Sequence, residues 1–146
     1  MAKRTGTKPS AEEAVFLELV RTADILSRRP SEVFKAVELS PTQYNVLRIL
    51  RGAAEPLTCG EIAKRMITRD PDITRLVDRL EKRGLTSRSR ESRDRRTVLV
   101  QITEEGLQLL ASLDRPIQDA HRSQLAHLGE KRLKQLSKLL SACRNC

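Results

Sequence analysis

RSRESRDRRTVLVQIT, residues 88–103, sets five arginines within nine residues directly ahead of alternating sequence. Val98, Val100 and Ile102 recur with the period of two that buries one face of a β-strand. An arginine cluster gripped on its C-terminal side by such a pattern is a presented loop. Residues 85–90 and 97–102 are therefore expected to form the arms of a hairpin, with the arginines at and beside its tip.

The segment just upstream predicts what the hairpin is attached to. In RDPDITRL, residues 69–76, Asp70 is expected to cap a helix, Pro71 to occupy its first position and Asp72 to sit in its positive first turn. Ile73, Leu76, Val77 and Leu80 fall at i, i+3, i+4 and i+7, a narrow buried stripe, and Gly84 supplies the stop. The opposite face carries Thr74, Arg75, Asp78, Arg79 and Lys82. Two further helix starts precede it. In LSPTQYNVLRIL, Ser40 and Gln43 have capping-box spacing around Pro41, and that helix should run to about Arg51 and end at Gly52. In LTCGEIAKRM, Thr58 and Glu61 repeat the box and start a short helix ending near Met66. A short helix, a turn of about four residues and a second helix with a basic outer face make the helix-turn-helix pattern, whose second helix can enter the major groove of duplex DNA.

The flanks are helical too. Val15, Leu19, Val20, Ala23 and Leu26 form a stripe that Phe16 and Leu17 widen beyond what one neighbour covers. Arg28-Arg29-Pro30 is expected to stop that helix, leaving residues 31–38 as a short second one. After the hairpin, Thr103 caps a helix with Glu104 and Glu105 in its first turn. Its stripe is Leu107, Leu110, Leu113 and Ile117, with Pro116 as a candidate kink. Gly129 separates it from a last helix, residues 130 to about 142, whose Leu133, Leu136, Leu139 and Leu140 are expected to be buried. The 146 residues suit one domain, 1–146, with no internal repeat.

Composition narrows the partner. The net charge is +9 and the isoelectric point is near 10.1. Lys82, Arg83, Arg88, Arg90, Arg93, Arg95 and Arg96, seven bases, stand against Glu91 and Asp94, two acids, so +5 of the +9 lies between residues 82 and 96. A charge run can be merely a solvated face, but ordered sequence on both flanks favours a polyanionic partner. Phe16, Phe34 and Tyr44 are the only aromatics. Single-strand binders use aromatic stacking platforms, so duplex DNA is favoured. No apolar run reaches 18 residues, and the basic N-terminus leads into an amphipathic pattern containing acids rather than an apolar core. No membrane partner and a cytoplasmic location are expected.

These residues, in this order, resemble the MarR family of bacterial transcription regulators. The resemblance covers 11–140 and is sharpest in DITRLVDRLEKRGL, 72–85, and in DRRTVLVQITEEG, 94–106, where an Asp-x-Arg at the hairpin tip precedes a strand and a helix-capping Thr. It implies a mainly α fold with a small β-hairpin wing: a winged helix-turn-helix, 40–103, flanked by dimerisation helices, 11–38 and 104–142. It also implies a homodimer acting as a repressor on a palindromic operator, with a small anionic or aromatic effector between the winged part and the dimer helices. On this similarity Arg96 enters the minor groove and Asp94 pairs with it, while Arg88, Arg90, Arg93 and Arg95 meet phosphates. On the recognition helix, Arg75 is the first candidate for a bidentate contact to guanine and Thr74 for a phosphate, with Lys82 on the same face. Arg79 has an internal alternative, pairing with Asp78 or Asp72. Asp72 is foremost a capping residue, with a cytosine amino group as its alternative target.

Other residues suggest rival chemistry. Cys59 follows the cap Thr58, where a helix N-terminus can activate a thiol, but burial as a small apolar residue is favoured. Peroxide-sensing members of the family use a cysteine near the first helix, and this chain has none there. Cys143 and Cys146 have C-x-x-C spacing at a chain end, where chains fray. His121 and His127, six apart, stand about 120° from each other on a helix and lack a nearby carboxylate cluster, so no metal or cofactor is expected. No phosphate loop, nucleophile elbow or spaced acid pair is present, which argues against an enzyme. Two rival readings stay open: a winged-helix protein-interaction module that does not bind DNA, and a redox-responsive regulator using Cys59.

Overall fold

The computed structural model describes residues 6–145, so Cys146 and its half of the C-x-x-C spacing lie outside the described residues. The chain runs α1 (Ala11–Ala36), α2 (Pro41–Gly52), α3 (Cys59–Arg65), α4 (Ile73–Lys82), β1 (Thr86–Arg90), β2 (Val98–Ile102) and α5 (Glu104–Leu125). A 3-10 turn (Ala126–Leu128) then leads into α6 (Gly129–Cys143). This is a mainly helical fold carrying one antiparallel hairpin.

Local sequence explains most boundaries. Ser40 Oγ accepts from the Gln43 N–H (3.1 Å) while Gln43 Oε1 accepts from the Ser40 N–H (3.0 Å), so two otherwise unpaired donors of α2 are satisfied. Thr58 and Glu61 do the same for α3, at 3.2 and 2.8 Å, and the Thr58 N–H holds the Glu61 carboxyl below the usual carboxylate range. Two helices end in the same way. Leu39 N–H reaches Phe34 O and Glu38 N–H reaches Lys35 O, while Leu85 N–H reaches Leu80 O and Gly84 N–H reaches Glu81 O. Each is a Schellman turn with a left-handed residue, Glu38 at φ 55° and Gly84 at φ 72°.

Two boundaries differ from the sequence expectation. Pro30 does not stop α1, and residues 31–36 continue the same helix. A proline removes the N–H that would bond the carbonyl four residues earlier. That carbonyl, Leu26 O, instead accepts from Gln124 Nε2 of α5 (3.0 Å), and the Pro30 ring is buried. The cap of α4 is Asp72, not Asp70, and Pro71 lies outside the helix. Asp72 Oδ1 accepts from the Arg75 N–H (3.0 Å), whereas Asp70 Oδ1 accepts from the Asp72 N–H (2.8 Å) and builds the preceding turn.

β1 and β2 pair with Arg88 opposite Val100. Val100 also exchanges both backbone hydrogen bonds with Leu57 in the α2–α3 connection, at 2.9 and 2.7 Å, so a third extended residue fastens the hairpin to the body. At the hairpin base, Thr103 Oγ1 donates to Gly84 O (2.6 Å) and accepts from the Gly106 N–H (3.2 Å). A Cβ on Gly106 would overlap Leu85 O and the Ile102 side chain, so glycine allows α5 to start against the wing.

Val46, Leu47, Ile62, Val77, Leu80, Val100 and Leu110 are completely buried, drawn from α2, α3, α4, β2 and α5. α1 adds only Pro30 and Phe34 to the buried set, and α6 adds nothing. The expectation that Leu133, Leu136, Leu139 and Leu140 are buried is not met within one chain: Leu136 and Leu139 are exposed and the other two half-buried.

Candidate nucleic-acid interface

The buried stripe of α4, Ile73, Leu76, Val77 and Leu80, turns two parallel rows outward. Arg75, Arg79 and Lys82, at i, i+4 and i+7, form a basic row that is exposed and in no ion pair among the described residues. Arg79 therefore does not pair with Asp78 or Asp72. One position earlier run Thr74, Asp78 and Glu81 with the same spacing, and this row faces the wing.

Arg88 of β1 holds that second row. Its guanidinium lies 2.5 Å from Asp78 Oδ1 and 2.8 Å from Glu81 Oε2, and it donates a longer bond to Thr74 O (3.4 Å). Burial opposes the Arg88 charge, but hydrogen bonding to Asp78 and the charges of Asp78 and Glu81 outweigh it and raise the pKa. Arg88, expected from the sequence to meet a phosphate, is thus paired within the protein with Asp78 and Glu81.

The wing tip is fixed by its backbone. Asp94 Oδ1 accepts from the Arg96 N–H (2.9 Å) and Oδ2 from the Thr97 hydroxyl (3.2 Å), so Asp94 shapes the turn and forms no ion pair with the Arg96 guanidinium. The short Asp side chain in an Asx turn of this kind satisfies backbone donors one or two residues on. Arg90 Nη1 donates to Arg95 O (2.6 Å) across the hairpin. The Arg93, Arg95 and Arg96 side chains are exposed and in no ion pair among the described residues.

Three further bases were not among the expected contacts. Lys64, Arg65 and Arg69, at the end of α3 and in the turn before α4, are also exposed bases. Their position in the first helix and turn of a helix-turn-helix was the available signal. Arg83 donates to the carbonyls of Val37 (2.9 Å) and Glu38 (2.7 Å), tying the end of α4 to the α1–α2 turn. Arg51 makes a two-pronged bond to Asp114 (2.9 and 3.0 Å) that joins α2 to α5, and this bond raises the Arg51 pKa. Cys59 is half-buried against the core, and Cys143 is exposed. His121 and His127 are both exposed.

Two concave regions flank the interface. A cavity of about 430 Å³ lies between α1, α2, α5 and the turn before α4, with Phe34, Tyr44, Arg48, Ile67 and His121 in its wall. Tyr44 is buried, which pushes its hydroxyl pKa up, and Arg48 stands 5.9 Å from its ring centre. A second, almost wholly apolar groove of about 570 Å³ is lined by Val15, Leu19, Leu26, Leu125, Leu136 and Leu140.

Residues 39–98 match the MarR family profile. An uncharacterized HTH-type transcriptional regulator of Bacillus cereus is 30% identical over 131 residues, 87% of this chain and 84% of the relative. The crystal structure of a MarR transcription factor from Planctomyces limnophilus is 40% identical, with 94% of this chain and 99% of that one covered and a TM-score of 0.70. The chain belongs to the MarR family. As a MarR member it is a DNA-binding transcriptional regulator with the winged-helix fold. CouR of Rhodococcus jostii, a structure solved with p-coumaroyl-CoA, is 25% identical over 93% of this chain and 95% of its own, with a TM-score of 0.79. Among the described residues, no helix of this MarR protein is long and apolar enough to cross a membrane.

Proposed function

We propose that this MarR protein is a homodimeric repressor that binds a palindromic duplex operator and is released by a small anionic or aromatic effector. The observation that carries the DNA part is the row Arg75, Arg79 and Lys82, which is exposed, basic and without internal partners among the described residues. In this reading α4 lies in the major groove, with Arg75 on a guanine edge and Thr74 beside a phosphate. Arg96 enters the adjacent minor groove, and Arg93 and Arg95 meet phosphates together with Lys64, Arg65 and Arg69. Asp72 serves by capping α4, and Asp94 by holding the tip turn from which Arg96 projects.

The terminal helices supply the dimer in this reading. α1 and α6 carry apolar residues that one chain leaves open, and a second copy related by a two-fold axis covers them and sets the spacing of two half-sites. The 430 Å³ cavity would take the effector, with Arg48 available to an anion and Tyr44 and Phe34 to a ring. The p-coumaroyl-CoA held by CouR, an aromatic and anionic molecule, supports that class.

The test is titration of a labelled mixed-sequence duplex at two salt concentrations. A dimer neutralising about 6 to 10 phosphates loses roughly 10³ to 10⁵ in affinity between 50 and 200 mM salt. A flat response, or no binding at low salt, overturns the reading and favours an interaction module. On a selected operator, Arg75→Ala should relax specificity at a cost of about 1 to 3 kcal/mol, while Arg96→Ala weakens binding to all sequences.

A further inference from the structure

The α4 surface contains a conflict that the wing resolves. Its basic row, Arg75, Arg79 and Lys82, is shadowed one residue earlier by Asp78 and Glu81. Two carboxylates so close to three cations would stand near any phosphate those cations reach, within the Debye length of about 10 Å at 0.1 M salt. Arg88 is the only cation that pairs with either acid among the described residues. Its strand position enforces this. Thr86, Arg88 and Arg90 alternate onto one face of β1, Thr86 is 2% exposed, and the Arg88 side chain is 26% exposed. Opposite Arg88 stands Val100, pinned on its other edge by Leu57. A guanidinium can donate to two carboxylates at once through separate N–H groups, whereas an ammonium is a single point charge.

We propose that Arg88 is a positioning residue that turns the acidic pair Asp78 and Glu81 of the recognition helix toward the wing and neutralises it, leaving the basic row to face DNA. The proposal rests on the DNA-binding reading above. It assigns Arg88 a role through Asp78 and Glu81 rather than on a phosphate, and it makes the wing part of the recognition helix's electrostatics.

The test is a mutant cycle read by affinity for a labelled mixed-sequence duplex. Arg88→Ala is measured in the natural chain and in the Asp78→Asn, Glu81→Gln background, where both amides still accept from Arg88 but carry no charge. The expected loss is about tenfold in the natural chain and under about threefold in the neutral background. Equal losses in both would place Arg88 on a phosphate and overturn the proposal, as would natural affinity in the single variant. If Arg88→Ala fails to fold, Arg88→Met, which keeps the packed stem, replaces it in both arms. Failure of the natural chain to bind duplex at all would instead strike the DNA-binding reading, and it is seen before any variant is made.

Discussion

On α4, Leu76, Val77 and Leu80 are 8%, 0% and 0% exposed, whereas on α1, Val15, Phe16 and Val20 are 54%, 62% and 55% exposed. Both helices carry apolar stripes in the sequence, and α6 repeats the pattern with Leu136 and Leu139. The winged unit closes its stripes on itself and on the start of α5, because α2, α3, α4, β2 and α5 each give at least one completely buried side chain to a shared core. Among the described residues, the outer part of α1 and all of α6 give no buried side chain to it. A stripe therefore marks a face that needs covering, and the fold decides whether the same chain covers it. An open apolar surface on a DNA-binding regulator supports the proposed dimer interface.

The widest separation between the two regions should appear in paired leucine truncations. Leu80→Ala should cost about 2 to 5 kcal/mol in urea unfolding, because it leaves a cavity among fully packed neighbours. Leu139→Ala should change the stability of the isolated chain by no more than about 0.5 kcal/mol, and act instead by weakening association. Equal losses that do not vary with protein concentration would erase the distinction.

A smaller effect separates the two Schellman turns, one at the junction of α1 with the winged unit and one inside that unit. Gly84→Ala forces a Cβ into a left-handed residue and should destabilise by roughly 1 to 2 kcal/mol. Glu38→Gly relieves the same strain and should stabilise by somewhat less, since glycine also loosens the unfolded chain. Both are read from thermal unfolding. Smaller still is the one buried flaw of the hairpin. Thr86 Oγ1 has no hydrogen-bond partner among the described residues, so Thr86→Val should raise stability by about 1 kcal/mol, and a loss would reveal a partner for that hydroxyl.

Local chemistry made much of this fold legible in advance. The Ser40 and Thr58 capping boxes, the Thr103 cap, the Gly84 stop and the alternation of β2 each depend on residues within a few positions of one another. What escaped the sequence depended on distant partners. Pro30 reads as a helix stop until Gln124, 94 residues later, supplies the missing donor. Asp70 and Asp72 flank the same proline, and only the turn geometry selects Asp72 as the cap. The arginine cluster read as one charged tip, although it divides into Arg88, held inside, Arg90, tied across the hairpin to Arg95 O, and Arg93, Arg95 and Arg96, held out. A signal for that division was present, since the period of two puts Arg88 on the face of Thr86. Charge counting alone does not use it.

The contrast between the closed winged unit and the open terminal helices is tested most directly by sedimentation equilibrium of the natural chain at low micromolar concentration. The account predicts a species of twice the 16.5 kDa chain mass, shifting toward the single chain when Val15 and Leu136 are both replaced by glutamate. A natural chain that sediments at 16.5 kDa would contradict it, because the exposed faces of α1 and α6 would then have no second copy to cover them.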